Sequence, residues 1–192
     1  MPEPTSSSTP IPPYKLPLAP PLSPSDPALL THVQSVWDRI RPNSPIYSIF
    51  LSEIRIVSAA RGRIVAELDL APVHLNSKRI LHGAVSGALC DWAGGMAIAS
   101  MGLDQTGVST DMHLSYISAA REGETLEIEA WVTRCGKSLG FTGFEIRKKI
   151  VKNDDDGKAG RKGGEVVATG SHTKYLNFFQ EPPKKQNGEA KN

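Results

Sequence analysis

Nineteen consecutive residues, Gly83–Met101, carry a single side chain that is charged at neutral pH, Asp91. The others are almost all apolar or small, among them Ala84, Val85, Gly87, Ala88, Leu89, Ala93, Ala97, Ile98 and Ala99. A helix that is apolar all round is a buried helix, so the rest of the chain must supply a surface that wraps it. The same constraint singles out Asp91, because a carboxylate taken out of water is costly unless paired, hydrogen-bonded or protonated. Its helical neighbours at three, four and seven residues are Ala84, Gly87, Ala88, Gly94, Gly95 and Ile98, nearly all tiny. Each glycine inside a helix costs roughly 1 kcal/mol relative to alanine, which is tolerable where a sheet or a bound molecule must come close. On the residues alone, two readings of Asp91 stand level. One is a structural carboxylate pinned by a hydroxyl such as Ser109 or by an arginine. The other is a catalytic group in a cleft.

The wrapping surface reads as sheet. Asp26-Pro27 is an N-cap followed by proline at the first helical position. Leu29, Leu30, Val33, Val36, Trp37 and Ile40 follow at helical spacing, and Pro42 and Pro45 end that helix. Tyr47 to Val57 is expected as a first strand. Arg61 to Leu70 alternates, with Ile64, Ala66, Leu68 and Leu70 on one face. An irregular connection, Ala71 to Leu81, leads into the long helix. Four strands are predicted near 106–117, 123–134, 138–151 and 165–176 as a meander, with Leu126, Ile128, Ala130 and Val132 on one face of the second. The sum is an α+β chain, an antiparallel sheet wrapped on one helix.

Residues 1–25 hold nine prolines and almost no charge, too little apolar surface to fold, and are expected to be extended and mobile. Their PxxP-like pieces, Pro10 to Pro13 and Pro17 to Pro20, read as passive tail rather than docking motif. The folded domain is expected over 26–177, with a hairpin loop at Asn153 to Gly164 and a polar tail over 178–192. A net charge of +2 demands no nucleic-acid partner, and the basic runs around Arg147 to Lys149 and Lys158 to Lys162 read as solvated. Asp91 interrupts the one stretch that approaches the ~18 apolar residues of a membrane span. Cys90 and Cys135 form neither a disulfide framework nor a metal pattern, and Cys90 reads as a small core residue. His32, His74, His82, His113 and His172 lack zinc-ligand spacing. A reducing compartment follows; cytoplasm is expected, with the mitochondrion as the alternative.

His82-Gly83 stands where the long helix starts. A helix N-terminus presents unsatisfied N–H groups and the positive end of the dipole. Gly83 has no side chain, so a ligand oxygen could approach its amide, which would stabilise a developing oxyanion. The plainer alternative is that Gly83 allows the turn and His82 is structural.

The ordered set Leu81-His82-Gly83, Asp91, Gly107-Val108-Ser109-Thr110-Asp111-Met112-His113-Leu114-Ser115-Tyr116, Ala120, Gly123, Gly136-Lys137-Ser138 and Ala168-Thr169-Gly170-Ser171-His172-Thr173-Lys174-Tyr175 resembles the hotdog-fold thioesterases of the PaaI-like group. The resemblance covers about residues 45 to 177. It implies a curved antiparallel sheet around the helix, and a homodimer or a homotetramer built as a dimer of dimers. The implied activity is hydrolysis of medium- to long-chain acyl-CoA at a dimer interface. No cofactor is implied beyond coenzyme A as part of the substrate. Asn76 matches the asparagine that helps hold the thioester, and Gly83 the glycine whose amide polarises its carbonyl. Asp91, from the partner subunit, matches the general base or nucleophile, and Ser109 the serine that positions the attacking water. Coenzyme A contacts are implied at Tyr116, Ala120, Arg121, Arg134, Gly136, Lys137, Ser138 and Tyr175, with Lys137 nearest the phosphates.

The chain departs from the family at His82-Gly83-Ala84, where a second glycine is usual, at Ala119, where proline is common, and at the long Asn153–Gly164 loop. Two rival readings remain: a non-catalytic acyl-CoA-binding module, and a dehydratase. The second needs a histidine facing a carboxylate. His82 and Asp91, nine residues apart, do not share a helical face.

Overall fold

The computed structural model describes residues 24–150 and 164–176. The predicted tails, residues 1–25 (apart from 24 and 25) and 178–192, and all of the Asn153–Gly164 loop but Gly164 lie outside these residues. Helix α1 spans Pro27–Ile40, capped by the Asp26 carboxylate on the Ala28 and Leu29 amides. Its inner face, Val33, Val36 and Trp37, is buried.

The predicted strand at Tyr47 to Val57 is corrected. Pro45–Phe50 is a short helix, α2, and strand β1 begins only at Arg55 and runs to Ala60. Ser44 repeats the logic of Asp26: its hydroxyl accepts the Tyr47 amide at 3.4 Å, and Pro45 follows at the first helical position. Pro45 therefore opens a helix rather than only closing one.

Strand β2, Arg63–Asp69, pairs with β1. The alternating set Ile64, Ala66 and Leu68 is fully buried, and Leu70 nearly so. Within Ala71 to Leu81 only a 3₁₀ turn at Pro72–His74 and isolated bridges form, matching the irregular reading. Helix α3 spans Gly83–Ala99. Strands β3 (Val108–Tyr116), β4 (Thr125–Cys135), β5 (Leu139–Lys148) and β6 (Val166–Tyr175) follow.

All strand pairs are antiparallel, in the order β1-β2-β4-β5-β6-β3. The meander is correct for β4, β5 and β6 and wrong for β3. Instead of pairing with β4, β3 lies at the far edge beside β6, and β4 pairs with β2. The long helix explains it. Seventeen residues at ~1.5 Å each span about 25 Å, so α3 carries the chain from the β2 side to the opposite edge. On the way it packs on every strand from β2 to β6. Its own Leu89, Cys90, Trp92, Ala93, Met96 and Ala97 are buried.

Candidate functional site

The predicted site residues fall into two groups at different heights on α3. The first surrounds its N-terminus. His82 caps the helix, its Nδ1 accepting the Ala84 amide at 3.0 Å, so this histidine is structural. The Val85 and Ser86 amides go to the His82 carbonyl. The Gly83 amide has no acceptor among the described residues. It faces a cleft of about 380 Å³ lined by Asn76, Ile80, Leu81, Gly83, Ser86, Tyr116, Ile117, Ser118, Ala119 and Val167. Asn76 Oδ1 accepts the Lys78 amide at 2.9 Å within a tight turn in which Arg79 takes φ 58°. Its side-chain NH2 is left to donate. The Tyr116 hydroxyl donates to the Gly83 carbonyl at 3.3 Å. Nothing but mild polar and apolar groups lines this cleft, which suits holding a carbonyl over an apolar chain.

The second group surrounds Asp91. Lys174 Nζ donates to Oδ1 at 2.8 Å, Ser109 Oγ donates to Oδ1 at 2.9 Å, and the Tyr47 hydroxyl donates to Oδ2 at 2.7 Å. His172 Nε2 stands 3.8 Å from Oδ1. Burial pushes the Asp91 carboxyl up, but the Lys174 charge and the donors Lys174, Tyr47 and Ser109 outweigh it and hold it at about 2. Burial, and then the Lys174 charge, lower the pKa of His172. The site is thus an ionised carboxylate bonded to the buried Lys174, beside an imidazole pushed towards its neutral form. The expected pin was a hydroxyl or an arginine. Ser109 is that hydroxyl, and the cation is lysine instead of arginine.

Tyr47, Lys174 and His172 were not anticipated. The signal for two of them was present: His172 and Lys174 share strand parity with Ala168 and Gly170, so they face inward with that row. Tyr47 was hidden by the strand assignment corrected above.

Because the folded chain lowers the Asp91 carboxyl below its ordinary 3.8, Asp91 stabilises the fold fully above that value and loses this contribution as pH falls towards about 2. Melting temperature measured against pH should therefore drop more steeply through that window in the wild type than in Asp91→Asn. A gap between the two proteins that stays constant with pH would mean that the ionised pair contributes nothing.

The positions implied for coenzyme A also divide. Tyr116, with 62% of its surface exposed, and exposed Arg121 stand at the Gly83 end. Ala120 beside them is buried, its carbonyl accepting the Leu81 amide at 2.8 Å. Arg134, near the end of β4, and Gly136, Lys137 and Ser138 of the β4–β5 turn stand at the other end, where the Leu176 amide bonds to the Ser138 carbonyl at 2.8 Å. Tyr175 pairs there with Val108 and Leu139. The ends are the two ends of β3, whose eight residue steps span about 26 Å.

No helix among the described residues is long and apolar enough to cross a membrane. Residues 79–152 match the model of the thioesterase superfamily. The chain is 34% identical over 126 residues to human acyl-coenzyme A thioesterase 13, covering 66% of this chain and 81% of that protein. It is 32% identical to a putative esterase of Schizosaccharomyces pombe over 149 residues, 77% of this chain and 84% of the relative. In structure it superposes on zebrafish thioesterase superfamily member 2 with a TM-score of 0.63 at 30% identity, covering 80% of this chain and 99% of that one. A Streptococcus pneumoniae thioesterase solved with coenzyme A shares the fold, with a TM-score of 0.59 at 20% identity and 72% and 94% coverage.

Proposed function

We propose, since this chain belongs to the thioesterase superfamily, that it hydrolyses medium- to long-chain acyl-CoA to fatty acid and coenzyme A at a site completed by a second copy of itself. As a member of that family it is a thioester hydrolase with the hotdog fold. The observation that carries the proposal is the separation of the two groups. Gly83 and Asp91 are eight residues, or about 12 Å, apart along one helix. A thioester carbonyl seated on the Gly83 amide is out of reach of the same chain's Asp91.

Strand β3 supports the means of completion. It is an edge strand, and it exposes Val108, Met112 and Tyr116. Long exposed edges invite pairing with another chain. Two β3 edges joined about a two-fold axis run antiparallel, so the Arg134–Ser138 turn of one chain comes beside Tyr116 and Arg121 of the other. The Asp91 group of one chain then approaches the Gly83 group of its partner. The outward stripe of α3, Ala84, Gly87 and Ala88, is small enough for a close approach.

In this arrangement the Gly83 amide and the Asn76 NH2 hold the carbonyl oxygen. Ser109 positions a water, Asp91 takes its proton, and the water oxygen bonds to the carbonyl carbon. The tetrahedral adduct collapses, the C–S bond breaks, and the proton passes from Asp91 to the coenzyme A thiolate. General-base help of this kind gives about 10²–10⁴-fold. A carboxyl held at about 2 is a weak base. The partner chain and the substrate strip water from it, and desolvation is the effect that raises it. Lys137 is an exposed cation suited to the coenzyme A phosphates. The apolar side of the cleft, Ile80, Leu81, Ile117 and Val167, favours longer acyl chains.

The test is release of coenzyme A thiol from acyl-CoAs of graded chain length, with particle mass measured alongside. Hydrolysis that rises from short to medium or long chains, by a dimer or tetramer, is expected. Tight acyl-CoA binding without thiol release would favour the binding-module reading, and an active monomer would defeat the shared site.

A further inference from the structure

We propose that Tyr47, supplied by helix α2, is a positioning residue that fixes the Asp91 carboxylate so that Oδ2 is its reacting oxygen. The inference rests on Asp91 being the base or nucleophile, and adds which atom acts and what aims it.

An ionised carboxylate offers about four acceptor positions, two on each oxygen. Oδ1 spends both of its own, on Lys174 at 2.8 Å and Ser109 at 2.9 Å. Oδ2 spends one, on the Tyr47 hydroxyl at 2.7 Å. One lone pair, on Oδ2, is left for a water or an acyl carbon. Lys174 and Ser109, both on one oxygen, leave the carboxylate plane able to rock about that oxygen. A third donor on the other oxygen stops it. Small errors in aim cost a great deal in rate, about 10²-fold per ångström.

Tyr47 is itself held. Its ring packs on Trp37 with centroids 5.6 Å apart, and Trp37 packs edge-on against Trp92 of α3 at 5.5 Å. The Ser44 cap and Pro45 fix the start of α2, and its last residue is tied down where Phe50 gives its carbonyl to His74 Nε2 at 3.0 Å. Burial, and then the Asp91 charge, push the Tyr47 phenol far above its ordinary value, so it remains a donor throughout the working range. The other titratable groups facing Asp91 are Lys174 and His172 from β6 and Cys90 on its own helix, whose thiol burial pushes up to about 12. Asp111 of β3 acts on His172. None of these donates to Oδ2.

The experiment is Tyr47→Phe, which removes the hydroxyl and keeps the ring. With the full-length protein and acyl-CoA, kcat should fall about 10- to 100-fold with KM changed less than about 2-fold. The acid limb of the kcat profile should move to higher pH, because one donor that favours the carboxylate is gone. Should Tyr47→Phe lose its tryptophan fluorescence signature and unfold, 3-fluorotyrosine at position 47 decides. As a stronger donor of nearly the same size it should move the acid limb to lower pH. An unchanged kcat and limb in a folded Tyr47→Phe, or an unmoved limb with fluorotyrosine, overturns the role of Tyr47. Failure of the underlying reading looks different: a wild type without thiol release, or an active Asp91→Asn.

Discussion

Replacing Asp91 with asparagine should lower kcat by about 10²–10⁴-fold, while acyl-CoA still binds and the chain still folds. The substitution keeps size and one acceptor oxygen, so Lys174 and Ser109 retain a partner for at least one of their protons. What disappears is the charge and the basic lone pair. Because Lys174 is 4% exposed at its side chain, the loss of its counter-charge also costs stability, about 1–3 kcal/mol for a buried group left short of its partner. Two assays separate these effects: thiol release at saturating acyl-CoA, and melting temperature at neutral pH. A variant that is folded, binds and turns over at the wild-type rate would leave Asp91 a purely structural carboxylate. The wild-type protein separates base from nucleophile. In heavy-oxygen water, a single turnover through an anhydride that water opens at the Asp91 carboxyl carbon leaves the label in Asp91, so label found there marks the nucleophile. General-base hydrolysis sends it all to the fatty acid.

Gly94→Leu is expected to be strongly damaging although it lies away from the reacting atoms. A Cβ at Gly94 would stand 2.9 Å from Thr142 Oγ1 and 3.0 Å from His172 Nδ1. Both neighbours are buried, and Thr142 is tied to the His172 carbonyl at 2.9 Å. Four added carbons have nowhere to go unless α3 lifts from β5 and β6. Overpacking of this kind costs about 1–3 kcal/mol. At about 2–4 °C per kcal/mol for a chain of this length, the melting point should fall by several degrees. Asp91 shifts with the helix, away from Lys174 and His172 on β6, so activity should fall too. Gly87→Ala is the control. Nothing stands within 4 Å of its Cβ, and alanine gains about 1 kcal/mol over glycine inside a helix. Equal melting points for the two variants would mean that the sheet yields at Gly94.

These two glycines also show what the sequence could carry. Composition marked Gly83–Met101 as a buried helix, and its lone carboxylate marked a group that had to be partnered, because both follow from solvation alone. Alternation placed β2 and β4 for the same reason. Nothing local told Gly94, which rests on a sheet, from Gly87, which faces outward. That difference belongs to the packing of distant strands. The position of β3 was lost in the same way: each strand was legible, but its neighbours depend on where a helix delivers the chain. Tyr47 failed differently. The Ser44-Pro45 cap was readable, yet proline was weighed as a terminator, and so the third donor to Asp91 was missed. Lys174 carried a strand-parity signal that its charge obscured.

Strand β6 inserts between β5 and β3, and it is the last strand of the described chain. It brings Lys174 and His172 to a carboxylate encoded some eighty residues earlier. During synthesis Asp91 therefore emerges long before its cation, and β3, with Ser109, waits without the neighbour that anchors it. Until the ribosome has released β6, the half-made protein holds an Asp91 carboxylate without Lys174 and a Ser109 strand without its neighbour. On the proposed mechanism, thioester hydrolysis is thus withheld from incomplete chains, because the Asp91 cluster is complete only once the last strand has joined the sheet.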